Sequence, residues 1–198
     1  MPRLVARWVQ LLRHSEVADG GARPAYCPNV DWDRVGEDRQ RDRDGAMYGL
    51  VDALTRYSAA GADETRSYVA LGESVWWIVC LDVWHEGPDS AARTRYRSVR
   101  SSHTNGRYVA GIRAARNWVA HGLYPLLTVD RSGHAFPISF PHGFFEVRWK
   151  ASDELPPSAQ ADTGDLANIY RKYLAGEPAR LALHNAREFF SVGVYEIG

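Results

Sequence analysis

Cysteine is nearly absent. Two residues, Cys27 and Cys80, supply neither a disulfide framework nor a Cys/His cluster for zinc. Cys80 lies in an apolar run and reads as a buried thiol, and a reducing, cytoplasmic setting is expected. Net charge is absent too: 24 Lys and Arg balance 24 Asp and Glu, which argues against a general polyanion binder. No uninterrupted apolar run is long. The most apolar stretch, residues 68–84, carries Glu73 and Asp82 and reads as a core helix. The N-terminal MPRLVARWVQLLRHSEV is too short and too charged for a signal peptide or a membrane span, so no membrane contact is expected. There is no internal repeat, no low-complexity tract and no paired-carboxylate or metal-ligand motif, and no metal or cofactor is expected.

What is present is an ordinary globular composition, 45% apolar and 24% charged over 198 residues, enough for one domain with an appendage. The zero net charge hides segregation. Between Ala91 and Thr128 there is no Asp or Glu, but there are Arg93, Arg95, Arg97, Arg100, Arg107, Arg113 and Arg116, with His103 and His121. Glu16 to Asp44 is mostly acidic. The basic stretch either holds phosphate or is solvated and paired with the acidic segment. Nearly every basic residue is arginine, which grips phosphate bidentately.

Leu4 to Val17 has helical spacing. Ala18 to Asp44, rich in Gly, Pro and charge, reads as a loop, so residues 1–44 are taken as an appendage. Residues 45–198 form the main domain. Gly45 to Ala60 predicts a helix with Met47, Leu50, Val51, Leu54 and Tyr57 on one side, broken at Gly61. Asp63 can cap the next helix, whose wide apolar face (Tyr68, Leu71, Val75, Ile78, Val79, Val83) marks it as central and which ends near H-E-G-P-D at 85–89. Ser90 to Asn105 is a loop or weak helix. Asn105 to His121 is a helix with Tyr108, Val109, Ile112, Ala115, Trp118 and Val119 inward, stopped by Gly122 and Pro125. Leu126–Val129, Ala135–Phe140 and Phe144–Trp149 then suggest a small hairpin or meander at about 126–150. Ser152 to Gly164 reads as a linker, followed by helices over Asp165–Leu174 and Pro178–Phe190. Trp76 and Trp77 cannot both face one core, so one of them meets another element or another chain. The predicted class is mainly α, a helical bundle with a β insertion after the third core helix.

Within that third helix stands R-N-W-V-A-H, residues 116–121. Composition alone yields about one Arg five residues before a His by chance, so the spacing is weak and the setting carries more. Arg113, Asn117 and His121 recur every four residues on one helix face, with Arg116 one step round. From the residues alone two readings stay open. The histidine either closes the helix as an ordinary C-terminal cap or is one half of a catalytic pair. Its pKa is drawn up by the helix dipole and down by burial or neighbouring arginines.

The string resembles the signature of the HEPN superfamily: Arg, four to six residues, then His, near the end of a late helix of an all-α bundle, often with a polar residue directly after the Arg, here Asn117. The resemblance covers roughly residues 45–124 and the closing helices. It implies a HEPN-like bundle, a homodimer with the motif helices facing across a cleft, and metal-independent endoribonuclease chemistry in a toxin or phage-defence effector, with RNA as substrate and an antitoxin or defence-system protein as partner. Carried onto this chain, His121 is general acid/base, Arg116 the phosphate stabiliser and Asn117 an orienting group. Arg113 and Arg107 contact substrate, and Glu73 is a further candidate on the neighbouring helix. The toxin branch with a Tyr two residues after the His is not matched, because Leu123 stands there. The alternative is a non-catalytic RNA- or protein-binding module of the same fold.

Overall fold

The structure, a computed structural model, describes residues 32–61, 63–87, 89–118, 126–130 and 145–193, apart from the side chains of 32–37, 158, 166 and 193. The chain divides into two compact units, residues 1–38 and 39–198; of the first, 32–38 are described and are helical. Among the described residues the protein is mainly helical, with seven α-helices and one two-stranded antiparallel sheet. None of these helices is long and apolar enough to cross a membrane.

Helix α1 (Trp32–Ala59) begins well before Gly45, so residues 32–44, expected as loop, are helical. That segment has no Pro, and its four arginines, with Glu37 and Gln40, propagate a helix well. Its charge reflects solvation, not lack of structure. Gln40 donates to Asp44 four residues on, at 2.8 Å. The Trp84 indole donates to the Arg39 carbonyl at 3.0 Å, with the Arg39 and Arg43 guanidiniums 5.6 and 5.9 Å from its ring. Further on, Leu50 and Leu54 are buried, whereas Val51, expected with them, is exposed. Gly61, at φ 56°, ends the α1 turn in the left-handed region.

Helix α2 (Glu64–Glu86) starts as the sequence predicts: the Asp63 side chain accepts from the Arg66 N–H at 3.0 Å. It ends with Gly87 at φ 68°, whose N–H returns to the Trp84 carbonyl. Trp77 lies against Gly49 of α1, so one of the two adjacent tryptophans does meet another element. Ser90–Ser102 is a regular helix, α3, capped by Asp89, whose side chain accepts from the Ala92 N–H at 2.7 Å.

Helix α4 (Thr104–Trp118), not α2, is the most central: it packs on α2, α3 and the two last helices, α6 (Asp165–Tyr173) and α7 (Ala179–Glu188). Size explains this better than hydrophobicity. Its buried residues include Gly106, Ala110, Gly111, Ala114 and Ala115 beside Val109 and Ile112, so neighbouring backbones come close. A Cβ on Gly106 would meet the Arg100 carbonyl oxygen at 2.4 Å.

Strands β1 (Leu127–Asp130) and β2 (Glu146–Trp149) pair antiparallel, with Leu127 opposite Trp149 and Asp130 opposite Glu146. The predicted run Ala135–Phe140 lies outside the described residues. Trp149 is fully buried, and its backbone bonds Glu177 and Gly176, tying the sheet to the turn before α7. The expected linker 152–164 holds a 3₁₀ turn (Ser152–Glu154) and a short helix, α5 (Pro157–Ala161). Arg171 of α6 orders it by donating to the carbonyls of Ala159, Gln160 and Asp162 at 3.2, 3.0 and 2.5 Å. The described chain closes in a wide π turn, Phe189–Gly193, with Phe189 and Phe190 buried.

Two helical glycines give opposite expectations. A Cβ on Gly72 would meet nothing within 4 Å, so Gly72→Ala should stabilise by up to about 1 kcal/mol through helix propensity. Gly106→Ala should destabilise by about 1–3 kcal/mol, because backbone and not a flexible side chain is in the way. Denaturant midpoints of the two variants check this pair.

Candidate functional site

The end of α2 carries acids at positions where its periodicity calls for apolar groups. Asp82 follows Ile78 by four residues and is completely buried, and Glu86 follows by four more. Each is answered from the next two helices. Asp82 Oδ1 accepts from the Tyr96 hydroxyl at 2.7 Å and from Arg100 Nη1 at 2.6 Å, while Oδ2 accepts from Arg100 Nη1 at 2.7 Å and Arg113 Nη1 at 2.6 Å. Glu86 Oε1 accepts from Arg113 Nη1 at 2.7 Å and from Arg97 Nε at 2.9 Å. Burying Asp82 alone would cost several kcal/mol; charge-assisted donors on both oxygens offset that. Burial would raise the Glu86 carboxyl, but the hydrogen bonds and charges of Arg97 and Arg113 hold it below the usual carboxylate range. Burial, followed by the Asp82 charge, pushes the Tyr96 phenol well above its ordinary value.

Arg113, expected as a substrate contact, is therefore a structural cation: its side chain is 21% exposed and it bridges both acids. Arg116 differs. It is half-buried, one turn further along the same helix, and makes no hydrogen bond or ion pair among the described residues. Its charge is felt at Cys80, a buried free thiol that burial pushes up to about 12 and Arg116 partly draws down. Asn117 is exposed beside it. Trp118 anchors this end of α4: its indole donates to Asp162 Oδ2 at 2.8 Å and meets Tyr170 edge-on at 5.1 Å. His121 lies outside the described residues.

No family model matches the chain, and no curated protein or solved structure matches it either.

The remaining candidates disperse. Glu73 pairs with Arg56, which also holds Asp52 at 2.9 Å, a surface arrangement between α1 and α2. Arg107 donates to the Ser101 carbonyl at 3.1 Å and lies 5.5 Å from the Tyr173 ring. Among the described residues no three His, Cys, Asp or Glu side chains come together as a metal-binding group. The sequence reading missed the cluster of Asp82, Glu86, Tyr96, Arg97 and Arg100. The signal was there: two acids in register with an apolar stripe, at a helix end followed by an acid-free, arginine-rich segment.

A second buried titratable group adjoins Tyr96. The His85 ring stacks between Tyr96 and Phe190, with centroids 5.7 and 5.6 Å away at 14° and 12°, and its Nε2 is buried without a hydrogen-bond partner. Burial, helped by the Arg43 charge, lowers its pKa to about 4.

Two outcomes follow from these charges. Asp82→Ala should cost about 3–5 kcal/mol, since it leaves buried Arg100 without its hydrogen-bonded carboxylate and Arg113 with Glu86 alone, whereas Glu73→Gln, at an exposed pair, should cost no more than about 1 kcal/mol; chemical denaturation distinguishes them. His85 is neutral in the folded chain down to about pH 4 but protonates near 6.5 when unfolded. Its contribution is therefore intact above pH 6.5 and is lost as pH falls toward 4, by roughly 3 kcal/mol at the limit. A His85→Phe variant should lose that part of the acid dependence in melts between pH 7 and 4.

Proposed function

We propose that the protein is an RNA-cleaving enzyme of HEPN type, acting without a metal through Arg116 and His121. The observation that supports this most is the contrast on α4: of two arginines one turn apart, Arg113 is neutralised by Asp82 and Glu86, and Arg116 is left with its charge uncompensated. An unneutralised guanidinium at the rim of a packed helix, beside exposed Asn117, is the group that a phosphorane's charge requires. The mainly helical class agrees with the bundle implied by the resemblance of R-N-W-V-A-H.

In this reading the 2′-oxygen of a ribose attacks the adjacent phosphorus as its proton passes to an imidazole. The bond from phosphorus to the 5′-oxygen breaks, and that oxygen takes a proton as it leaves. The products are a 2′,3′-cyclic phosphate and a free 5′-hydroxyl. His121 moves the protons, Arg116 binds the phosphorane oxygens, and Asn117 orients the imidazole or substrate. Arg113 is moved from substrate contact to holding α4 in place. A homodimer that sets two motif helices across one cleft belongs to the proposal. The non-catalytic alternative keeps the RNA contact and drops the proton transfer.

With labelled single-stranded RNA in EDTA, wild type should give cyclic-phosphate ends, His121→Ala should be slower by about 100-fold or more, and Arg116→Ala should also be strongly impaired. Equal cleavage by wild type and His121→Ala would overturn the assignment; binding by wild type without cleavage would leave the binding module.

A further inference from the structure

The charges at the junction of α2, α3 and α4 do not balance. Arg97, Arg100 and Arg113 face two carboxylates, Asp82 and Glu86. Arg93 stands one turn before Arg97 on α3, and Arg116 one turn after Arg113 on α4; neither guanidinium makes a hydrogen bond or ion pair among the described residues. With the exposed Asp89 at the α3 N-cap counted as well, five guanidiniums stand against three carboxylates, an excess of two positive charges. Asp82 is fully buried and Glu86 nearly so, whereas Arg97, held by Glu86 at Nε, is 50% exposed. Helices α3 and α4 contain no acid at all.

Glu86 also orients what it binds. It takes only the Nε–H of Arg97, at 2.9 Å, and the two terminal amino groups of that guanidinium form no bond among the described residues. A guanidinium fixed at Nε presents its outer edge as a ready fork for phosphate oxygens. The same carboxylate holds Arg113, so one residue couples the Arg93–Arg97 stripe of α3 to the Arg113–Arg116 turn of α4. We propose that Arg93 and Arg97 form a phosphate-binding track that leads the backbone of an RNA strand to Arg116. This rests on RNA being the substrate. Arg95 is the internal contrast: the same charge, two residues from each, but exposed on the opposite side of α3.

The test uses the full chain carrying His121→Ala, so that RNA stays intact, and a labelled 12-nucleotide single strand titrated at several salt concentrations. Adding Arg93→Ala and Arg97→Ala together should weaken binding by tenfold or more and reduce the slope of log affinity against log salt by about 1.4, roughly 0.7 for each phosphate no longer neutralised. Arg93→Ala alone, at a residue without structural partners, should take about half of that slope, and melting curves confirm that it folds. Arg95→Ala should leave the slope unchanged. An effect of Arg95→Ala equal to that of Arg93→Ala would reduce the attraction to overall charge and overturn the track, as would undiminished binding by the double variant. Cleavage by otherwise wild-type protein is measured in parallel. His121-dependent cleavage with binding untouched by Arg93 and Arg97 removes the track and leaves the enzyme; the predicted salt slopes without any cleavage remove the enzyme and leave the track.

Discussion

A carboxylate with no exposed surface is the constraint around which this protein is arranged. Asp82 survives burial because donors from α3 and α4 reach both of its oxygens, and those donors can reach it only if the three helices hold one mutual rotation. Apolar packing alone tolerates sliding and re-packing; a buried charge held by short hydrogen bonds from two helices does not. Rotating α4 by one residue would carry Arg113 away from Asp82 and Glu86 together. The same rotation would relocate Arg116 and Asn117, so the ion cluster that takes no part in the proposed chemistry fixes where that chemistry sits.

Tyr96 joins this polar layer to an aromatic one. Its hydroxyl donates to Asp82 while its ring faces His85 and Phe189, and Phe189 in turn meets Phe190 and His103. The π turn that carries both phenylalanines is thus coupled through one phenol to the helices bearing the arginines. The small residues of α4 make the arrangement feasible. With Gly106 under the Arg100 carbonyl and Gly111 under Leu174, the helix comes near enough to its neighbours for Arg113 to bridge two acids without crossing solvent.

Local chemistry was legible in the sequence wherever one residue decides the backbone. Asp63 caps α2, Gly61 and Gly87 adopt positive φ, and Ile112 and Ala115 are buried as their period requires. Misreadings arose where tertiary partners override composition. Residues 32–44 looked like loop because they are charged, yet Gln40, Arg39 and Arg43 find partners four residues away or on Trp84. Residues 157–162 looked like linker because nothing local reveals that Arg171 gathers the carbonyls of Ala159, Gln160 and Asp162. In the site, Arg113 and Arg116 are alike in type and stand only one step apart round the helix, which does not say which of them is paired. Only the long-range placement of Asp82 and Glu86 separates them, and no window along the chain contains that fact.

The separation has a physical consequence for any anion the protein holds. A guanidinium bonded to two carboxylates presents little net field, so a phosphate beside Arg113 would first have to compete with Asp82 and Glu86 at hydrogen-bonding range. At Arg116 no such competitor stands among the described residues, and its half-buried position lowers the local dielectric, which strengthens attraction to an incoming charge. Electrostatic stabilisation of a transition state depends on a charge that is held in place but not already neutralised. The cluster fixes the helix from which Arg116 projects, and the exhaustion of its two carboxylates on Arg97, Arg100 and Arg113 leaves the Arg116 charge unneutralised among the described residues.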